Sequence, residues 1–233
     1  MVRRIAIIPA RGGSKRIPEK NIYGFNGKPM IAWTIEAALA SKLFDRVLVS
    51  TDSTKIAAVA KRFGAEVPFL RESHCDDFSI ISEATVAALT QAKEYWEEEY
   101  DIVVQLMANC PLRDANDIVK SVEYFESEDV DFQISCFKYG WMNPWWAAKL
   151  GSKGEPEPIF QDALSERSQD LPELYCPTGA TWIASTSALM SSHNFYGKGH
   201  TFFPMNWSHA VDIDDYDDLV FAESVAMFLK AKG

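Results

Sequence analysis

The stretch Ile5-Ala-Ile-Ile-Pro-Ala-Arg-Gly-Gly-Ser-Lys-Arg-Ile-Pro-Glu-Lys-Asn21 organises the chain. It begins with an apolar run, Ile5 to Ile8, long enough for a buried strand. Pro9 breaks the run, and the loop beyond it carries Arg11, Gly12, Gly13, Ser14, Lys15, Arg16 and Lys20. Glycines let backbone N–H groups come close to an anion, and the side chains supply positive charge. A strand that ends in such a loop therefore suits a phosphate group. Four cations between residues 11 and 20 stand out in a chain of net charge −10. The loop contains neither Gly-x-x-x-x-Gly-Lys-Ser/Thr nor Gly-x-Gly-x-x-Gly, so the two common phosphate-loop patterns are excluded. On local physics alone, an ordinary basic surface turn is the alternative.

Outward from this loop, apolar periodicity predicts strands alternating with helices. Pro29 sits near a helix start, where its missing N–H costs nothing. Ile31, Ile35, Ala38 and Leu39 mark the inner face of that helix, which ends near Ser41. Arg46 to Thr51 reads as a strand. Asp52 or Ser53 can cap the next helix, and Gly64 suits its stop. Glu66 to Leu70 reads as a short strand, Ser82 to Trp96 as a helix and Asp101 to Met107 as a strand. A helix over 114–126 and a strand from Asp131 to Phe137 follow. Beyond Tyr175, Thr181 to Ser185 and Thr201 to Met205 read as strands. A last helix runs from about Tyr216 to Lys230, with its core face from Leu219 to Leu229. Strands separated by helices imply right-handed crossovers. The predicted fold class is α/β: a Rossmann-like, mostly parallel sheet with helices on both faces. Ligands in such sheets bind beyond the carboxyl ends of the strands, where the first loop and the segments after Leu70 and Met107 lie.

The rhythm fails between Tyr139 and Tyr175, which holds Trp141, Trp145 and Trp146 and then Gly151, Gly154, Pro156 and Pro158. Three tryptophans in a loop predict packing against something, either another subunit or the sheet of their own chain. The expected organisation is one domain over residues 1–233, with 139–175 as an excursion.

Composition sets further bounds. At 47 % apolar residues the chain is ordinary for a globular protein. No apolar run approaches the ~20 residues that span a bilayer. Net negative charge argues against a nucleic-acid partner but not against a nucleotide, which needs only a local positive site. Cys75, Cys110, Cys136 and Cys176 are scattered, which fits reduced thiols in a cytoplasmic protein. The four histidines form no His-Glu-x-x-His pattern, so a zinc hydrolase has little support. Asp212 and Asp214, two apart on an extended segment, point to one side and could hold magnesium. The alternative is that the acidic cluster ahead of the last helix caps it.

The wording of the first loop is more specific than its physics. Pro9-Ala-Arg-Gly-Gly-Ser-Lys-Arg-Ile-Pro-x-Lys-Asn21 closely resembles the opening of the nonulosonate cytidylyltransferases, the CMP-sialic acid synthetase family. These enzymes couple CTP to a nine-carbon 2-keto sugar acid and release pyrophosphate. The resemblance implies that Arg11 and Lys20 neutralise triphosphate oxygens. Ser14, Asn21 and the N–H groups of Gly12 and Gly13 would complete the cradle; Lys15 and Arg16 are not assigned, since basic residues in such loops often face water. Val67-Pro-Phe-Leu-Arg71, with Ser82, resembles the cytosine-reading segment, although Ser82 also reads as a helix N-cap.

Met107-Ala-Asn-Cys-Pro-Leu-Arg113 aligns with the family's Gln-Pro-Thr-Ser-Pro-Leu-Arg. It departs from it at Met107, where the family places a substrate-contacting glutamine, and at Asn109 and Cys110. Met107 and Asn109 are therefore expected substrate contacts of altered chemistry, and Arg113 is expected to brace the sheet edge, with substrate contact as its alternative. Asp212-Ile-Asp214 matches the family's metal ligands, which implies Mg2+, with Mn2+ as a substitute. Arg167 stands where a family arginine pairs with the sugar carboxylate. The excursion resembles the element that family members swap across a homodimer.

The expected activity is CMP transfer from CTP to an N-acylneuraminate-type sugar acid, with Arg11, Lys20, Asp212 and Asp214 at its centre. Legionaminate, pseudaminate and the eight-carbon Kdo are alternative acceptors. A non-catalytic nucleotide-sensing module of the same fold is the alternative outside enzymes.

Overall fold

Two apolar layers sandwich a central sheet, and the alternation along its first strand shows why. In the computed structural model, which describes residues 2–74 and 80–232, strand β1 is Arg4–Pro9. Ile5 and Ile7 face one layer, with Leu48 and Val103. Ala6 and Ile8 face the other, with Val47, Val49 and Val104. Period-2 alternation with both faces apolar marks a strand covered on both sides.

After the first loop come two-residue strands β2 (Gly24–Phe25) and β3 (Lys28–Pro29), then helix α1 (Met30–Ser41) with Pro29 as its N-cap residue. Strand β4 (Arg46–Ser50) leads to α2 (Thr54–Arg62). The cap of α2 is Ser53, whose hydroxyl accepts the Ile56 N–H. Gly64 ends that turn at φ +94°, a conformation that L side chains rarely adopt. Then follow α3 (Ile81–Trp96), β5 (Ile102–Gln105), α4 (Ala115–Ser127) and β6 (Phe132–Lys138). Asp114 and Asp117 form a reciprocal capping box on α4. Helices α1, α2 and α4 contribute to the Ala6 layer, and α3 contributes to the Ile5 layer.

Strands β7 (Ala148–Leu150) and β8 (Pro156–Pro158) form a separate hairpin within the excursion. The main sheet resumes at β9 (Tyr175–Ser185), followed by α5 (Thr186–Ser192), β10 (Thr201–Pro204) and α6 (Tyr216–Lys232). Its order is β10-β6-β9-β5-β1-β4. All neighbours are parallel except β9, which runs antiparallel to both β5 and β6. The expected mostly parallel sheet with helices on both faces is therefore present.

Two elements differ from expectation. Glu66 to Leu70 is not a strand: Glu66 makes one bridge to Leu48, and Pro68, which has no N–H, follows it. Strand β9 begins six residues before Thr181. Pro177 is accommodated opposite Cys136, where the ladder shifts register. On α6, Leu219, Ala222, Val225 and Ala226 are buried against Ile17, Phe25 and Met30, so the last helix clamps the first loop. Val220 and Met227 face solvent.

In the excursion, Trp145 packs edge-on against Phe160 at 4.9 Å and donates its indole N–H to Pro172 O at 2.9 Å. Trp141 and Leu150 are 86 % and 79 % exposed, so their own chain does not cover them. Cys110 and Cys136 are buried free thiols, and Cys176 is half-buried. Cys75 lies outside the described residues.

Candidate functional site

Two adjoining cavities open at the carboxyl ends of the central parallel strands. One, of about 210 Å³, is lined by residues that include Arg11, Lys20, Asn21, Arg71, Met107, Asn109 and Asp214. The other, of about 310 Å³, is lined by Arg11, Ser14, Lys15, Arg16, Lys20 and Asn21. Arg11, Lys20 and Asn21 belong to both, so the basic loop joins the two compartments. Such dimensions suit a small molecule with an anionic end.

The loop is tied down from several directions. Asn21 is buried and donates its amide N–H to Arg11 O at 2.9 Å, which pins the start of the loop to its end. Gly12 donates its N–H to the Asp52 carboxylate at 2.8 Å. The Gly12 N–H is thus directed at an internal acid, and of the two capping candidates Ser53 caps α2 while Asp52 serves the loop. A Cβ at Gly12 would lie 3.1 Å from Ser53 Cβ, so the glycine allows the loop to approach that cap. At Gly13 an added Cβ would meet nothing within 4 Å.

Lys20 Nζ donates to Ile213 O at 2.9 Å and to Asp214 Oδ1 at 2.8 Å. Arg16 reaches the other Asp214 oxygen at 2.8 Å. The first loop and the Asp212–Ile213–Asp214 segment thus meet directly. Burial acts to raise the Asp214 carboxyl, but the Lys20 ammonium and the Arg16 guanidinium outweigh it and its pKa is lowered. Asp212 behaves oppositely. The residue as a whole is exposed, but its Oδ1 turns inward to the Cys110 thiol at 3.4 Å. Burial and the negative charge of Asp214 push it up to about 6, against the Cys110 hydrogen bond. Asp214 lines the smaller cavity and Asp212 lines neither, yet the two carboxylates repel each other, and a pair of hard oxygen donors beside a basic cleft fits a divalent cation such as Mg2+. The helix-capping alternative is filled by Asp215 and Asp218. Asp218 accepts from the N–H of Asp214 and Asp215, and Asp215 accepts from the N–H of Asp217 and Asp218.

The remaining candidates separate. Arg71 is buried and lines the smaller cavity, with Nη1 lying 3.4 Å from Ser50 O. Ser82 does not line either cavity: it is buried in α3, and its Oγ accepts the Phe195 N–H at 3.4 Å. Nor is it the helix cap, a position held by Ile80 without a side-chain bond. Ile81 and Ala84 present the first turns of α3 to the smaller cavity instead.

Met107 faces that cavity over Gly179, where a Cβ would come within 2.5 Å of Met107 Cγ. Gln105 is no substitute for it. Its Oε1 accepts the Thr85 hydroxyl at 2.6 Å in the core. Asn109 lines the cavity but directs its amide N–H at Ile213 O and Asp214 Oδ1, both at 3.2 Å. Arg113 is buried and donates to Ala180 O at 2.6 Å, which braces the sheet as expected. Arg167 is exposed, pairs with Asp170 at 2.6 Å and lines neither cavity of its own chain. Arg16 and Cys110 were not assigned from sequence. Their partners lie far along the chain, so no local signal marks these contacts.

Comparison with known proteins adds a relationship to this geometry. The family described as cytidylyltransferase matches residues 5–164. The chain is 33 % identical over 224 residues to a pseudaminic acid cytidylyltransferase of Campylobacter jejuni serotype O:23/36, covering 95 % of each. It is 31 % identical to an N-acylneuraminate cytidylyltransferase of Streptococcus agalactiae serotype III, over 94 % of this chain and 52 % of that one. Among solved structures, a CMP:2-keto-3-deoxy-manno-octonic acid synthetase complexed with CTP superposes with a TM-score of 0.69 over 98 % of this chain. At 16 % identity that likeness bears on the fold alone.

Proposed function

The chain belongs to the cytidylyltransferase family, in its nonulosonic-acid branch, and from that premise we propose that it transfers CMP from CTP to the anomeric hydroxyl of a nine-carbon 2-keto sugar acid. The observation that carries this reading is the meeting of the basic loop with the acid pair: Lys20 holds Asp214 from within the cleft. Phosphoryl chemistry of this kind asks for positioning and charge neutralisation more than for covalent help. Arg11 and Lys20 supply positive charge to the triphosphate, and Ser14 and Asn21 line its compartment. Arg71 and the first turns of α3 face the base, while Met107 and Asn109 form the wall after β5. Asp212 and Asp214 would hold Mg2+, or Mn2+, which when bound supplies Lewis-acid polarisation of the α-phosphate.

The acceptor is proposed to be an N-acylneuraminate-type acid. A second reading, pseudaminate, is favoured by the 33 % identity to a pseudaminic acid cytidylyltransferase over 95 % of both chains. Pyrophosphate release from CTP, measured with N-acetylneuraminate, legionaminate, pseudaminate and Kdo, separates the readings. A neuraminate-specific rate supports the first and a pseudaminate-specific rate the second. Release with none of the acids would remove the proposal. We place the enzyme in the cytoplasm as a homodimer. The unpaired thiols of Cys110, Cys136 and Cys176 support the first assignment, and the uncovered Trp141 and Leu150 support the second.

Arg11→Ala is expected to weaken CTP binding about ten- to a hundredfold, the worth of one charge-assisted phosphate contact. Calorimetric titration with CTP checks this. Unchanged CTP affinity together with a collapse in sugar affinity would show that the loop is misassigned.

A further inference from the structure

The Asp212–Ile213–Asp214 segment belongs to neither a helix nor a strand; it runs between a short 3-10 turn at Trp207–His209 and the start of α6. Its position is imposed by the turn that follows β5. Asn109 O accepts the Ile213 N–H at 2.9 Å, and the Asn109 amide donates back to Ile213 O. Beyond this backbone clasp, adjacent residues each reach one of the two acids. The Asn109 amide contacts Asp214 Oδ1 at 3.2 Å, and the Cys110 thiol contacts Asp212 Oδ1 at 3.4 Å.

Cys110 is fully buried. A Cβ added at Gly179 would lie 3.5 Å from its sulfur and 2.5 Å from Met107 Cγ, so the sulfur and the Met107 side chain both pack over that glycine. Asp212 Oδ1 is one partner at 3.4 Å, and the Thr178 hydroxyl, which donates to Ala210 O at 2.8 Å, is another; of the two the carboxylate is the stronger acceptor, and a thiol is a weak but real donor. A buried cysteine more often serves as a small apolar filler, so packing alone is the competing account.

We infer that Cys110 is a positioning residue whose thiol hydrogen fixes the orientation of the Asp212 carboxylate, while Lys20, Arg16 and the Asn109 amide hold Asp214. The inference rests on the proposed role of the two acids as metal ligands. A donor on one carboxylate oxygen selects which oxygen is left for a cation, and it removes rotational freedom that cation binding would otherwise have to restrict. Loss of such a supporting contact lowers metal affinity by about 10- to 100-fold. The weakness of the S–H donor places Cys110 at the lower end of that range.

The test is Mn2+ binding to the CTP-free enzyme, followed by the EPR signal of free Mn2+, with melting temperature recorded for each variant. Cys110→Ala is expected to bind Mn2+ about tenfold more weakly. Cys110→Ser, which restores a donor, is expected to return affinity to near wild type. Asp212→Asn is the control for the site, and it is expected to lose most of the binding. If Cys110→Ala melts below the assay temperature, Cys110→Val takes its place, since it fills the site without a donor. Wild-type affinity in the donorless variant, alongside a loss in Asp212→Asn, overturns the positioning role and leaves the metal reading intact. A serine variant as weak as the alanine variant assigns Cys110 to packing, which also overturns it. Wild-type affinity in Asp212→Asn overturns the metal reading, and the inference falls with it.

Discussion

Asp212→Asn and Asp214→Asn are each expected to lower turnover by a factor on the order of 10² to 10³, the effect of several kcal/mol of lost charge stabilisation at the reacting phosphorus. The fold should survive both changes. Asp212 is exposed and Asp214 half-exposed, and each substitution keeps shape and volume. Asp214→Asn also loosens the ion pairs to Lys20 and Arg16, and both of those cations line the larger cavity, the proposed place of the triphosphate. Asp214→Asn is therefore expected to change CTP affinity as well as turnover, whereas Asp212→Asn, whose inward contact is to Cys110, should act mainly on turnover. Steady-state rates at saturating Mg2+, with circular dichroism melts of each variant, measure both effects. Near-wild-type turnover in both variants would take the acid pair out of the chemistry.

Elements with bounded apolar runs were legible from sequence. Strands β1, β4, β5 and β6 and helices α1 to α4 lie within a few residues of their expected positions, because turns and caps such as Pro29, Ser53, Gly64 and Asp114 bracket them. Local rules failed where tertiary structure overrides propensity. Strand β9 passes through Pro177 and Gly179, two strand breakers, because a shifted ladder admits the proline and Met107 occupies the space over the glycine. At Glu66 the pattern looked like a strand, but Pro68 leaves no N–H with which to continue the bridge.

The site divides along the same line. The basic loop and the acid pair could be read from short stretches, each carrying a recognisable local pattern. Their mutual contact could not, because Arg16 and Asp214 are 198 residues apart in sequence and Cys110 and Asp212 are 102 apart. Ser82 meets a related limit. A serine near a helix start suggests a cap or a ligand contact; Ile80 holds the cap position, and the Ser82 hydroxyl accepts the N–H of Phe195 from a distant segment.

Mixing two inactive variants, Asp212→Asn and Arg167→Ala, is expected to restore activity. Arg167 presents a guanidinium to solvent from the excursion, pairs only locally with Asp170 and lies outside both cavities of its own chain. The same excursion exposes Trp141, Leu150 and Ile159, an apolar surface that a second copy would cover. If the excursion reaches across a homodimer, each Arg167 completes the site whose Asp212 belongs to the other chain. Homodimers of either variant then carry a defect in both sites. A mixed dimer gathers both defects into one site and leaves the other intact. Random pairing of equal amounts should therefore return about a quarter of wild-type activity, from a background near that of the single variants. Co-expression with two different affinity tags isolates the mixed dimer, and intact-mass measurement confirms it; its activity should be about half that of wild type. A confirmed mixed dimer with no more activity than its parents would assign Arg167 to its own chain or remove it from the site.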